Sequence, residues 1–160
     1  MGFGHWKGLT LAVLAMGVGG AGAPVPNLTA YVDKYPSNKV GGTSLYDHPT
    51  YQRLVNVASP SSGVRHVVQT GDVESPVERQ GQLLVARGCE AHTCDDHQWL
   101  VAIRLPNGPA AICYHDSALM DEEARWFIAG RAVGVTKGCW NGDYTAVPQG
   151  IYERLSKVEE

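Results

Sequence analysis

The sequence predicts an α+β fold, in which an antiparallel β meander of about five strands carries helices at both chain ends, in α/β/α-like layers. Apolar residues at helical spacing occur before residue 60 and again after Pro148. Between Val64 and Val135 the pattern changes to short apolar runs broken by turn residues. The turns between these runs are too short for the crossovers that parallel strands need, so antiparallel pairing is expected.

Composition indicates one ordinary globular domain. The chain has 160 residues, of which 44% are hydrophobic and 18% are charged, which suits a single core of useful size. The formal net charge is −3, so the chain lacks the basic balance that is typical of nucleic-acid-binding proteins. We therefore expect one domain over residues 24–160 and no nucleic-acid partner.

The first 23 residues have the pattern of a secretory signal peptide. Lys7 precedes an apolar run over residues 9–18, and small residues follow. The run is too short to span a bilayer as a helix. We expect cleavage after Ala21 or Ala23, export to the periplasm or the medium, and no membrane anchor.

Three helices are expected. The first begins after Asn27 and ends at Pro36, and the second covers residues 48–58 with Asp47 as its N-cap. A third helix opens at Pro148. Its expected inward face consists of Ile151, Leu155 and Val158.

Seven runs in the central region are candidate strands. Asn107 and Gly108 form a hairpin signal between two of them. Residues 117–123 are expected to form a polar connection, and residues 138–144 a loop. The candidate strands cover residues 65–70, 73–78, 82–88, 98–105, 110–114, 125–129 and 131–135.

The stretch that most invites a functional interpretation lies between two strongly apolar runs. Residues 83–86 lead into it and residues 99–103 lead out of it. Cys89 and Cys94 stand five positions apart in the polar segment between these runs, and His92 lies between them.

Four interpretations of this segment are open. Cys89 and Cys94 pair in a disulfide, which is worth roughly 2 kcal/mol for so short a ring but makes the loop rigid. Alternatively, the cysteines bind zinc together with His92 and His97. A third interpretation is a cysteine nucleophile or redox centre activated by His92. The fourth is a plain structural loop. Four cysteines in an exported protein favour disulfides.

Nothing in the remaining sequence indicates an enzyme. His66 is expected to be half-buried in a strand, whereas His48 and His115 are expected to be solvated. The carboxylates at 95–96 and 121–123 are also expected to be solvated in polar turns. The sequence has no nucleophile elbow, phosphate-binding glycine loop or His-Glu-x-x-His motif. We expect no catalytic residue, metal or cofactor.

A strand, a Cys-x-x-His-x-Cys loop and a strand ending in Val-Ala-Ile-Arg resemble the Ivy family, the inhibitors of vertebrate lysozyme. The resemblance covers about residues 82–113. It implies that Cys89 and Cys94 form a disulfide, and that His92 enters the lysozyme cleft toward its catalytic carboxylates. The expected partner is therefore a lysozyme or a related peptidoglycan-cleaving enzyme; we also consider a homodimer.

The loop differs from the family's sequence Cys-Lys-Pro-His-Asp-Cys. This chain has Glu90, Ala91 and Thr93 where the family has lysine, proline and aspartate, and Asp95 follows where a glycine is usual. With His92, these four are the expected target-binding residues.

The same differences motivate a second hypothesis, a periplasmic binding or envelope protein on this fold without a lysozyme target, or a modulator of bacterial lytic enzymes. Cys113 and Cys139 lie outside the family's one-bridge pattern. We expect them to form a second disulfide that joins a strand to the loop before the last helix.

Overall fold

The computed structural model describes Met1, residues 24–140 and residues 146–157. The rest of the expected signal peptide lies outside the described residues, as do Val158 and part of the loop expected over 138–144. In the part of the chain that is described, no helix is long and apolar enough to cross a membrane.

The described residues contain one seven-stranded antiparallel sheet with helices before and after it in the chain, so the predicted α+β fold is confirmed. Its main path runs in the order β1-β3-β4-β5-β6-β7, and β2 also pairs with β3. The strands are β1 (Val73–Glu74), β2 (Glu78–Gln80), β3 (Leu83–Cys89), β4 (His97–Arg104), β5 (Ala110–Asp116), β6 (Glu123–Ile128) and β7 (Arg131–Lys137).

The sheet has seven strands and not about five, because six of the seven candidate runs form strands and the run over 73–78 divides into two short edge strands. Pro76 lies between β1 and β2 and has no N–H to donate to a ladder. Both short strands pair with β3, one after the other along its length. The hairpin expected at Asn107 and Gly108 joins β4 to β5.

A 3₁₀ turn and four helices surround the sheet in the described residues. The amino-terminal helix expected up to Pro36 is only this 3₁₀ turn, since Val32 instead bridges to Val77 and Tyr35 is 47% exposed. The polar connection over 117–123 contains a short helix. The elements are the 3₁₀ turn Leu28–Tyr31, α1 (Pro49–Ala58), α2 (Ser62–Thr70), α3 (Ser117–Met120) and α4 (Gln149–Lys157).

Helix α1 is capped by His48 and not by Asp47, so that prediction was wrong. The His48 Nδ1 atom accepts from the Thr50 N–H at 3.1 Å, and its Nε2 donates to the Pro26 carbonyl at 2.8 Å. Asp47 instead accepts from the Ser44 hydroxyl at 2.7 Å. His48 is buried by these contacts and is not the solvated residue expected from its position.

The strand expected over residues 65–70 is helix α2. Valines favour strands, but Val64 and Val68 are spaced for one helix face and both are buried. The Ser61 hydroxyl caps this helix by accepting from the Val64 N–H. His66 is exposed on the helix and is not half-buried in a strand.

The core lies on both faces of the sheet, which gives the predicted three layers. Alternate residues of β3 and β4 contribute to the two faces, so both strands are almost continuously buried. One face packs against α1 and α2 and includes Leu84, Ala86, Trp99, Val101, Ile103 and Ile112; the other packs against α4 and includes Leu83, Val85, Leu100, Ala102, Cys113 and Trp126.

Close packing at Gly88 fixes the end of β3 that leads into the loop. A Cβ atom at this position would lie 2.4 Å from the Trp99 ring and 2.5 Å from the Val73 carbonyl oxygen. Trp99 is the cross-strand partner of Gly88 and is fully buried. The loop therefore leaves a tightly packed β3–β4 hairpin.

Candidate functional site

The Cys-x-x-His-x-Cys segment is the connection of the β3–β4 hairpin. Cys89 ends β3 and His97 begins β4, and a disulfide joins Cys89 to Cys94. Cys89 is buried, whereas Cys94 is half-buried. The ring closed by the disulfide therefore begins at the buried end of β3.

A backbone turn places His92 at the tip of the ring. The Thr93 N–H donates to the Glu90 carbonyl at 3.2 Å, and His92 adopts a φ of 68° within this turn. Residues other than glycine adopt this left-handed conformation infrequently. The His92 side chain is exposed, and within the described residues it makes no hydrogen bond, ion pair or ring contact. Its imidazole is free to contact another molecule.

Backbone hydrogen bonds hold the base of the loop. The Asp96 and His97 N–H groups both donate to the Thr93 carbonyl, at 2.9 and 2.8 Å. The Glu90 N–H donates to the His97 carbonyl at 3.2 Å. These bonds and the disulfide restrict the conformations that the loop can adopt.

Neighbouring elements brace the loop from two sides. The Asp72 carboxylate, which precedes β1, accepts from the Ala91 N–H at 2.9 Å. On the other side, the Ser117 N–H of α3 donates to the Asp96 carbonyl at 2.9 Å. The loop is therefore tied to two distant parts of the chain.

Glu90 pairs with His97 and does not stand free beside His92. The His97 Nδ1 atom contacts the Glu90 Oε2 atom, and its Nε2 atom lies 3.6 Å from Asp116 Oδ1. The hydrogen bond with Glu90 is the largest cause that raises the pKa of His97. Partial burial opposes this rise, and the charges of Asp116, Glu90 and Asp96 add to it. A protonated His97 compensates the charge of Glu90.

The structure places all five expected target-binding residues on this one loop. Glu90, His92 and Asp95 are exposed, and Ala91 and Thr93 are half-buried. Sequence reasoning missed Asp72 and Asp116 as supports. Asp116 could have been found, because it is the cross-strand partner of His97 in the β4–β5 pair, but nothing local indicated Asp72.

Both cysteine pairs are disulfides. Cys113 on β5 is joined to Cys139, which follows β7, and both are buried. The zinc and thiol interpretations of the loop each need a thiolate, and the disulfide removes it. Within the described residues, no cluster of three or more His, Cys, Asp or Glu side chains could hold a metal ion.

Comparison with known proteins points to one family. The family model described as inhibitor of vertebrate lysozyme (Ivy) matches residues 49–117. This segment runs from the first residue of α1 to the first residue of α3 and includes the whole loop. Neither the curated proteins nor the solved structures contain a match. The predicted resemblance is therefore confirmed: residues 49–117 of this chain are similar to the Ivy family, the inhibitors of vertebrate lysozyme.

Proposed function

We propose that the protein is an exported inhibitor of a c-type lysozyme, and that the loop closed by Cys89 and Cys94 plugs the active-site cleft with His92 as its central contact. One observation carries the proposal. In a segment that matches an inhibitor family, an unpartnered imidazole stands exposed at the tip of a closed and braced turn.

The chemistry of an imidazole suits a muramidase cleft. Such enzymes use a pair of carboxyl groups on either side of the scissile bond. An imidazole placed between them donates one hydrogen bond when neutral and two when protonated. Nearby anions favour the protonated form, so the contact becomes stronger as the histidine enters the cleft.

Rigidity of the loop favours tight binding. A flexible segment loses conformational entropy when it docks, and a loop that is already ordered loses less. The disulfide, the backbone bonds to Thr93 and the Asp72 contact order the loop before it meets a target.

The Glu90–His97 pair also supports the proposal. A free carboxylate next to His92 would repel the acids of a lysozyme cleft. Because Glu90 contacts His97, its charge is partly compensated on the side of the loop away from the tip. Asp95 remains exposed.

The location of the protein follows from the same features. Disulfides persist in oxidising compartments, and the structure contains two. Together with the expected signal peptide, they support a periplasmic or secreted protein.

Replacement of His92 tests the mechanism. His92→Ala is expected to weaken inhibition by roughly 30- to 1,000-fold, corresponding to about 2–4 kcal/mol for a central contact. His92→Gly is expected to weaken it similarly, and because glycine readily adopts a positive φ it separates loss of the imidazole from backbone strain. Clearance of a cell-wall suspension by lysozyme measures the inhibition.

His66→Ala is the matched control, since His66 is an exposed histidine on α2 and not in the loop. It is expected to inhibit like the wild type. Equal inhibition by the wild type and both His92 variants would reject the mechanism.

A second candidate function is supported by Glu90, Ala91 and Thr93, which replace the family's usual loop residues. A binding or envelope protein on this fold, or a modulator of bacterial lytic enzymes, would need a different loop surface. A panel of c-type lysozymes and bacterial lytic enzymes separates the two. Lytic enzymes inhibited at micromolar protein, with lysozymes unaffected, would favour this candidate.

A further inference from the structure

A cavity of about 520 Å³ opens beside the loop on the α4 side of the sheet. We call it the acidic basin; Asp95, Asp96, His115, Asp121 and Glu122 are among the residues that line it. We propose that the acidic basin is a second contact for the loop's target and takes a basic side chain, arginine or lysine, from that protein. This inference rests on the proposed function and specifies the partner's chemistry.

The charge of the acidic basin is strongly negative. Four carboxylates line it, and Lys137 is the only lysine or arginine among its lining residues. The Lys137 Nζ atom lies 3.1 Å from Glu122 Oε2, so it compensates one carboxylate and leaves three. Clusters of this kind are common on solvated surfaces, so the charge alone does not establish a site.

A buried histidine supplies the independent observation. His115 is only 4% exposed, although its place beside a polar turn predicted a solvated residue. Its Nδ1 atom donates to the Glu123 carbonyl at 2.9 Å, which leaves Nε2 as an acceptor. Nε2 has no hydrogen-bond partner among the described residues, and the ring lines the acidic basin. Nε2 is not fully enclosed by the protein, so a guanidinium or ammonium N–H that enters the acidic basin can donate to it.

The residue types fit an organic cation better than a metal ion. The described residues include no cluster of His, Cys, Asp or Glu that could hold a metal. A guanidinium is larger than a metal ion and presents several donors in a plane, so it suits acceptors spread around a cavity. Trp140 adds an aromatic wall, against which a basic side chain can pack its aliphatic stem.

The acidic basin and the loop form one continuous surface. Asp95 and Asp96 line the basin and belong to the loop. Helix α3 is tied to the loop through Ser117 and Asp96, and its Leu119 side chain is 72% exposed. A partner of ordinary interface size that covers the loop tip therefore also reaches the acidic basin and the exposed leucine beside it.

An arginine analogue tests the acidic basin without any lysozyme. N-acetyl-arginine amide is expected to shift the NMR signals of His115 and Gly138, with a dissociation constant on the order of millimolar for so small a ligand. N-acetyl-citrulline amide, which has nearly the same shape but no charge, is expected to shift them little. Absence of shifts with the arginine probe, or equal shifts with both, would overturn the proposal.

The variant Asp96→Asn/Asp121→Asn removes two exposed carboxylates of the acidic basin. Asparagine suits the positive φ of Asp121. Asp33→Asn/Glu153→Gln is the matched control: both residues are exposed, Asp33 also has a positive φ, and neither lines the basin. The basin variant is expected to bind the arginine probe several-fold more weakly than the control.

The same pair of variants tests the contact with a c-type lysozyme. At low salt the basin variant is expected to associate about ten-fold more slowly than the control, and added salt should reduce the difference. Equal association rates would overturn the acidic basin as a contact and leave the proposed function intact. A wild-type protein that binds the arginine probe but no lysozyme would reject the proposed function and retain the basin as a cation site.

Discussion

The two disulfides of this protein differ in ring size and in surroundings. Cys89–Cys94 spans a sequence separation of 5 at an exposed loop, and Cys113–Cys139 spans 26 inside the core. Chain entropy predicts about 2 kcal/mol for the small ring and about 3.5 kcal/mol for the large one. The larger ring stabilises the fold, whereas the smaller one mainly shapes the exposed loop that we propose as the contact surface.

The contacts of each bridge support this difference. Cys113 is the cross-strand partner of Trp126, and the Cys139 N–H donates to the Gln98 side-chain oxygen at 2.9 Å. The buried bridge therefore fastens the segment after β7 to the middle of the sheet. The bridge at the loop adjoins His92, which faces solvent.

The largest expected effect on stability comes from the buried bridge. Cys113→Ala/Cys139→Ala is expected to lower the free energy of unfolding by about 3–4 kcal/mol, because a long loop in the unfolded chain becomes free. Urea denaturation measures the change. Where this variant remains folded, it should still inhibit, since it leaves the loop intact. A decrease in the free energy of unfolding of less than about 1 kcal/mol would contradict the stabilising role of the buried bridge.

Removing the Cys89–Cys94 bridge should affect inhibition more than stability. Cys89→Ser/Cys94→Ser is expected to lower the free energy of unfolding by no more than about 2 kcal/mol. Its inhibition of lysozyme should fall by ten-fold or more, because docking must then order a flexible loop. Parallel urea and inhibition measurements on both double variants provide the comparison. Full inhibition by the loop variant would show that the bridge does not shape the site.

The smallest effect is a pH dependence that arises from His97. Because the folded state raises the pKa of His97, the protonated form stabilises the fold at pH values below the unfolded pKa of about 6.5. That stability is lost as the pH rises through the raised folded pKa. His97→Gln should lack this component. Unfolding free energies measured between pH 5.5 and 8.5 test it; parallel curves for wild type and variant would count against the Glu90 contact.

Much of the fold could be predicted because its patterns are local. The apolar runs of β3 and β4 and the spacing of Tyr51, Leu54 and Val55 in α1 each indicate one structure. The expected strand over 65–70 was wrong because several valines suggested β structure. The segment is a helix because its buried valines have helical spacing, a serine caps its first turn and this face packs into the core.

Residues of the candidate site could be predicted only where they lie close together in the sequence. The ring and His92 could be identified because Cys89 and Cys94 lie only five positions apart, with His92 between them. The burial of His48 and His115 depends on the Pro26 and Glu123 carbonyls, which other segments of the chain bring close. The acidic basin likewise combines the loop, β5 and the α3 turn, and no single stretch of sequence indicates it.

The hydrogen bonds inside the turn have a consequence for which substitutions this loop can accept. Besides the side-chain contacts of Asp72, of Glu90 with His97 and of the Thr93 hydroxyl, the turn is held by hydrogen bonds that join backbone atoms to backbone atoms. These backbone bonds do not depend on side-chain identity, so the side chains at positions 91 and 93 can be exchanged while the turn keeps its shape. Target preference can drift in this loop at little cost to folding, and the same hairpin could serve as a scaffold for selecting inhibitors of other cleft-bearing enzymes.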